Sequence, residues 1–223
     1  MNTRAVSAWR TTMRKIRPTM YKYADQVLRT LNRKNLKVFD KLKLIPLDEV
    51  NVVQSVANAY RETAILARKR YFDIIYHAYV FGQDAAGVSE TKSVANAKKR
   101  VTPDLVLEMM IDYDEVALYQ FAHEAERKQQ RLVEAMIASH NKPEEIDRAL
   151  RQWTLQIARY ADKSVETGLL LGYKDAGVRQ VKWIAIDDEK TCNPCFDRNG
   201  KVYPIDGVPP RPHYHCRCEL WPV

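Results

Sequence analysis

Two short stretches near the end of the chain decide how the rest is read: Cys192-Asn193-Pro194-Cys195 and, after an Asn199-Gly200 turn signal, Pro209-Pro210-Arg211-Pro212-His213-Tyr214-His215-Cys216-Arg217-Cys218. All 4 cysteines of the 223-residue protein lie here, and none precedes Cys192. A C-x-x-C followed across a short gap by H-x-x-C-x-C is the spacing of a metal knuckle: a tight turn sets two sulfurs on one side, and a second segment brings the remaining donors. Cys192, Cys195, His213, Cys216 and Cys218 are the candidate ligands, five donors for four positions, with His215 a weaker sixth. Cys216 and Cys218 are two residues apart, so an extended segment points both to the same face.

Upstream of this terminus the composition is helical. Glycine is absent before Gly82, and only Pro18 and Pro46 interrupt the first hundred residues. Met1 to Arg17 reads as a basic helix or a disordered arm, and Thr19 to Lys43 as a second helix stopped near Pro46. Asp48 is placed to cap a third, whose Val53, Val56, Ala57, Tyr60, Ala64, Ala67, Tyr71, Ile74, Ile75 and Ala78 keep helical spacing and which should end near Phe81-Gly82. The polar, charged segment from Gln83 to Arg100 is the expected mobile connection. Thr102-Pro103-Asp104 is a cap followed by proline at the first helical position, opening a helix to about Ser139 with Val106, Met109, Met110, Tyr113, Val116 and Ala117 on one stripe. Asn141 to Glu145 starts another, burying Ile146, Leu150, Trp153, Ile157, Tyr160 and Val165 and ending at Gly177.

The period then changes. Val181 to Asp187 is compact and β-rich, and Asn199-Gly200 is placed to fold Phe196–Arg198 back on Lys201-Val202-Tyr203. The expected fold is therefore mainly α: long amphipathic helices with a small β-rich, metal-knuckle-like C-terminal module. Its parts are a basic helical arm (1–44), an α-helical body (45–178) and a Cys/His module (179–223). About forty residues with few apolar side chains cannot hold a fold alone, so the cross-link is structural in purpose. Zinc is the expected cofactor; disulfides are the alternative, favoured only outside a reducing compartment.

The net charge is +8, unevenly spread. Between Met1 and Leu44 only Asp25 and Asp40 oppose twelve Lys and Arg, so the charged partner surface is N-terminal. Arg10, Arg14, Lys15, Arg17, Arg33 and Lys34 are the candidate contacts to DNA phosphates or to an acidic protein; a merely solvated helix face is the competing reading. No run of about 18 apolar residues exists, so no membrane span is expected, and the start lacks the apolar core of a secretory signal. Asp112, Asp114 and Glu115 near His123 and Glu124 read as an exposed acidic face rather than a catalytic pair. There is no glycine-rich phosphate loop and no Ser/His/Asp spacing, so no enzyme is expected. A His-Asn-His nuclease needs a ligand-bearing helix after the second Cys pair, and five residues follow Cys218.

The order Trp183, Asp187-Asp188-Glu189-Lys190-Thr191-Cys192-x-x-Cys195, Asn199-Gly200-Lys201, Pro209-Pro210 and His213-x-x-Cys216-Arg217-Cys218 resembles the C-terminal module of the phage minor head, or head morphogenesis, proteins. The resemblance covers roughly residues 168 to 220; Tyr214 stands where the family usually has proline and Lys190 where arginine is common. It implies a structural protein of the virion, present in few copies, associated with the portal protein and other head proteins, and present in the host cytoplasm during assembly; a multi-copy or oligomeric state in that assembly is expected. The basic arm separately makes double-stranded DNA an expected partner, and the alternative function is a zinc-containing nucleic-acid-binding accessory protein acting through that arm.

Overall fold

The computed structural model describes residues 3–46, 49–105, 118–139, 142–186, 189, 191–213, 216 and 218–223; the side chains of 3–22, 49–50 and 118–124 fall outside the description. The order is α1 (Thr3–Leu42), α2 (Glu49–Ala85), α3 (Glu90–Arg100), α4 (Leu118–Ala138), α5 (Pro143–Asp175), β1 (Gln180–Ile184), a short α6 (Asn193–Arg198), β2 (Val202–Pro204), a 3-10 turn (Ile205–Gly207) and β3 (Glu219–Pro222). The fold class is as expected, a mostly helical chain with a small antiparallel sheet near the end, ordered β2-β1-β3. Two compact units divide it: Tyr23–Ile74 with Val101–Ala161, and Met1–Lys22 with Ile75–Arg100 and Asp162–Val223.

The first of these units is held by aromatic packing. Along α1, Ala24, Val27, Leu31, Asn35, Val38 and Leu42 are buried at three- and four-residue steps. Phe39 meets Tyr60 edge-on at 5.4 Å, and Tyr60 meets Trp153 at 5.0 Å. Trp153 donates its indole N–H to Thr63 Oγ1 at 2.9 Å, and that hydroxyl donates to Tyr60 O, so the two polar groups inside the core satisfy one another. The stripe on α2 is turned slightly from its expected phase. Val52, Ala59 and Thr63 are buried, whereas Val53 is exposed and Ala57 and Ala64 are half-buried. A buried threonine carries no apolar signal, so apolar spacing alone does not show this phase.

Three boundaries differ from expectation. Thr3–Leu42 is one helix through Pro18, not two: an interior proline removes one hydrogen bond and leaves the rest of the ladder to carry the helix. The segment expected to be mobile contains α3, with Glu90 in its first turn, Lys98, Lys99 and Arg100 in its last, and Ser93 and Ala97 fully buried. Those charges complement the helix dipole rather than mark a linker. Gly82 does not end α2; Gly87 does, at φ +89°, with Val88 N bonded to Gln83 O and Gly87 N to Asp84 O. α5 ends by the same Schellman pairing at Gly177, as expected. The Thr102 cap is present, Oγ1 accepting from Leu105 N at 3.1 Å. The expected Asp48 cap and the 106–117 stripe, with Asp112, Asp114 and Glu115, lie outside the described residues, as do the side chains of His123 and Glu124.

Gly82 serves close approach instead. In the unit that contains the sheet, a Cβ on Gly82 would stand 2.5 Å from Leu169 O, and one on Gly168 2.5 Å from Ile75 O and 2.6 Å from Ala78 Cβ. Backbone therefore meets backbone where α2 crosses α5. Gln83 is fully buried beside this crossing; it donates to Gly172 O at 3.1 Å and accepts from Asn96 at 2.8 Å, tying α3 to both. In an unpacked helix Gly→Ala stabilises by about 1 kcal/mol. Gly168→Ala should instead destabilise by about 1–3 kcal/mol, since Ile75 O belongs to a helix backbone and cannot step aside. The thermal midpoint should then fall by roughly 2–4 °C per kcal/mol, and an unchanged or higher midpoint contradicts the crossing.

Candidate metal centre

The site is assembled on the sheet. β1 alternates, with Val181 and Trp183 facing inward and fully buried. It pairs antiparallel with β2 (Val181 opposite Tyr203) and with β3 (Trp183 opposite Leu220). The expected hairpin is not the one formed. Phe196–Arg198 belong to α6, and Lys201-Val202-Tyr203 folds back on β1 instead. The cause is local: Cys192, extended at φ −73°, ψ 154°, precedes a helical turn that has Pro194 in its first positions. Cys195 N and Phe196 N both bond to Cys192 O at 3.0 Å, which coils the C-x-x-C so that both sulfurs face one way. Asn199-Gly200 then closes the loop against β1. Asn199 Oδ1 accepts from Ala185 N, and Gly200, at φ +79°, donates its N–H to Trp183 O at 2.8 Å.

The donors converge on Cys195. Its Sγ lies 3.4 Å from His213 Nε2 and 3.4 Å from Cys216 Sγ. Cys192, Cys195 and His213 form one triad of ligand atoms within 4.8 Å of one another, and Cys195, Cys216 and Cys218 form a second. All five sequence candidates are thus brought together, with Cys195 common to both groups; His215 lies outside the described residues. No cysteine is in a disulfide, and the 3.4 Å between Cys195 and Cys216 far exceeds a bond of about 2.05 Å. Cys195, Cys216 and Cys218 are buried with Trp183 and Ala185, while His213 is exposed.

The electrostatics suit a cation. Burial above all, and then the surrounding thiols of Cys218, Cys192 and Cys216, push the Cys195 thiol far above its ordinary value. Burial likewise raises Cys218. At Cys216 burial is opposed by the Cys218 backbone and by the Arg211 guanidinium, and the net direction is downward. A bound divalent ion would replace the thiol protons and let the sulfurs share its charge. Sulfur and imidazole donors, with no carboxylate among them, suit zinc-type ions and not calcium or magnesium. An indole also fits. Trp183 Nε1 is buried with no hydrogen-bond partner among the described residues, a state costing about 1–3 kcal/mol, and the ring shares its cluster with Cys195, Cys216 and Cys218.

Two residues that the sequence reading passed over hold the ligand loop. Arg211 donates from Nε to Glu166 Oε2 at 2.7 Å, and from Nη1 to Cys218 O at 2.8 Å and Cys216 O at 3.3 Å. The pair is 16% and 13% exposed, so this is an ion pair inside the fold, joining α5 to the backbone of both C-terminal cysteines. The guanidinium also lies 5.9 Å from the centre of the Trp183 ring, over which Arg198 sits at 5.1 Å. An arginine framed by Pro210 and Pro212 was the available signal; Glu166 had none. Leu170 and Tyr173 of α5 pack with Val181 and Leu220, so the module rests on the end of the last long helix.

Of the basic candidates, Arg33 and Lys34 are exposed on α1, and the side chains of Arg10, Arg14, Lys15 and Arg17 lie outside the description. The four-residue steps reveal a row the sequence reading did not single out: Arg29, Arg33, Lys37 and Lys41 are all exposed. Among the described residues no helix is long and apolar enough to cross a membrane. No family model, no curated protein and no solved structure matches this chain.

Proposed function

We propose that the cluster holds one structural zinc ion, and that the chain acts as a minor head protein of a phage, associated with the portal in head morphogenesis. One observation carries the reading: the Cys and His residues that define the terminal motif are those that meet at Cys195. A tetrahedral ion takes four protein donors, and five surround this point, so no position is left for a reactive water. The ion's work is then to fix a β-rich segment on α5, presenting a rigid surface to other head components, while the helical remainder supplies length and area for assembly. Within a virion the protein would stand beside the portal in more than one copy. Sedimentation with purified portal rings at moderate salt tests this. The chain should pellet with the rings, before and after nuclease treatment; a chain that stays in the supernatant refutes the portal role.

The exposed row on α1 favours a second reading, contact with packaged double-stranded DNA. Successive members are about 6 Å apart along the helix, and no acidic residue interrupts Arg29, Arg33, Lys37 and Lys41 within the row. Four phosphate contacts give a log–log salt slope of about −3 to −4. Reversing Arg33 and Lys37 to glutamate should reduce that slope by about 2 and weaken binding alike for all sequences. A slope near zero in the parent removes the DNA reading and leaves the portal reading intact.

A further inference from the structure

We propose that Arg211 is a positioning residue of the metal centre: anchored on Glu166, its guanidinium closes the loop that carries His213, Cys216 and Cys218 and so sets the spacing of those donors. The inference rests on the metal reading but concerns a side chain outside the ligand set. Arg211 Nη1 donates to Cys216 O at 3.3 Å and to Cys218 O at 2.8 Å, five and seven residues further along the chain. One side chain therefore folds its own segment back on itself. Arg211 Nε donates to Glu166 Oε2 at 2.7 Å, which ties the closed loop to α5, a helix of 33 residues. Three of the five candidate donors lie within that loop, and two of them, Cys216 and Cys218, complete a triad with Cys195.

Every acceptor in this clamp is a carboxylate or a carbonyl, so the clamp uses no ligand atom. The sulfurs and the imidazole stay available to an ion. A guanidinium suits the task because it is planar, always charged, and aims its donors along fixed directions. An ammonium in its place is a point donor and cannot serve an acid on one edge and two carbonyls on another. Both partners of the ion pair are largely buried, so water competes poorly for the same acceptors. The start of the loop is fixed as well. Pro210 and Pro212 flank Arg211 and restrict the backbone on either side, and Pro210 O accepts from Arg198 Nη1 at 2.5 Å. Arg198 and Arg211 both lie over the Trp183 ring, at 5.1 and 5.9 Å, and that ring is buried with Cys195, Cys216 and Cys218. Groups that orient ligands from behind typically change metal affinity by about 10–100-fold; here the orientation acts through the ligands' backbone.

The test uses the full chain and Zn2+. Arg211→Lys keeps the charge and removes the fork. Its affinity for Zn2+, by chelator competition at a temperature where the far-UV signal is that of the folded chain, should fall about 10–100-fold. With Zn2+ in enough excess to keep the variant loaded, limiting iodoacetamide should alkylate Cys216 and Cys218 faster than in the parent, as read by mass spectrometry. Cys192, outside the loop, should keep its parental rate. A residue that only stabilised the fold would lower the thermal midpoint and leave both readouts alone. Parental affinity in a folded variant, or an equal acceleration at Cys192, therefore overturns the inference. In the unmutated, zinc-loaded chain the Arg211 Nε–H should exchange slowly with solvent, and this signal decides the matter if the variant fails to fold; free exchange there overturns the inference while the metal reading stands. A parent that takes up no zinc overturns the metal reading along with it.

Discussion

Cys195→Ser should abolish stoichiometric zinc uptake and open the segment from about residue 180 onward to protease, while leaving most of the far-UV helical signal in place. Cys195 is the one donor present in both triads, so its loss breaks both at once. A change at Cys192 or His213, each in a single triad, leaves the Cys195, Cys216 and Cys218 triad intact and should be milder. The expected effect is large because a structural zinc site contributes about 10–16 kcal/mol of apparent binding energy in small modules. The strands here are only three to five residues long and their sheet has only three of them. The helices draw on other contacts, such as the Tyr60–Trp153 core and the glycine crossing, and should persist. Equal protease resistance in variant and parent would mean the terminus is held by packing alone.

The second large effect is expected at Glu166. Replacing it with methionine strands the Arg211 guanidinium in a site where both side chains are at least four-fifths covered. Breaking one half of a buried pair typically destabilises by about 3–5 kcal/mol, because a desolvated charge is left without its partner. Arg211→Met does the same to Glu166 and further removes the donor from Cys216 O and Cys218 O, so it should be the more harmful of the two. The double variant should be less destabilised than the sum of the singles, since neither charge then remains buried alone. Thermal denaturation of the zinc-loaded chain measures all three. Strict additivity would mean that the pair behaves as a surface salt bridge, worth under about 1 kcal/mol.

What could be read in advance follows from how local each cause is. The face of α5 was legible because Ile146, Leu150, Trp153, Ile157, Tyr160 and Val165 repeat at helical spacing, and all but the half-buried Leu150 are buried. The stop at Gly177 was legible because a positive φ favours glycine. Gly82 misled for the opposite reason. Its role depends on Leu169 and Gly172 in another helix, and no local pattern separates a glycine that ends a helix from one that lets a helix pass. The segment before Arg100 looked like a linker because Ser93 and Ala97 are too small to register as a core face, though both are fully buried. At the candidate metal centre the Cys and His donors stood out because cysteine is rare and its spacing carries geometry. Glu166 did not, being 45 residues from the arginine it holds.

Zinc-edge X-ray absorption on the purified full chain, with metal content measured on the same sample, bears most directly on the central claim. One zinc per chain is expected, bound by four protein ligands with sulfur dominant at about 2.3 Å and no water in the first coordination sphere. A chain that carries no zinc after purification and reconstitution, or an ion surrounded by oxygen, would contradict the account.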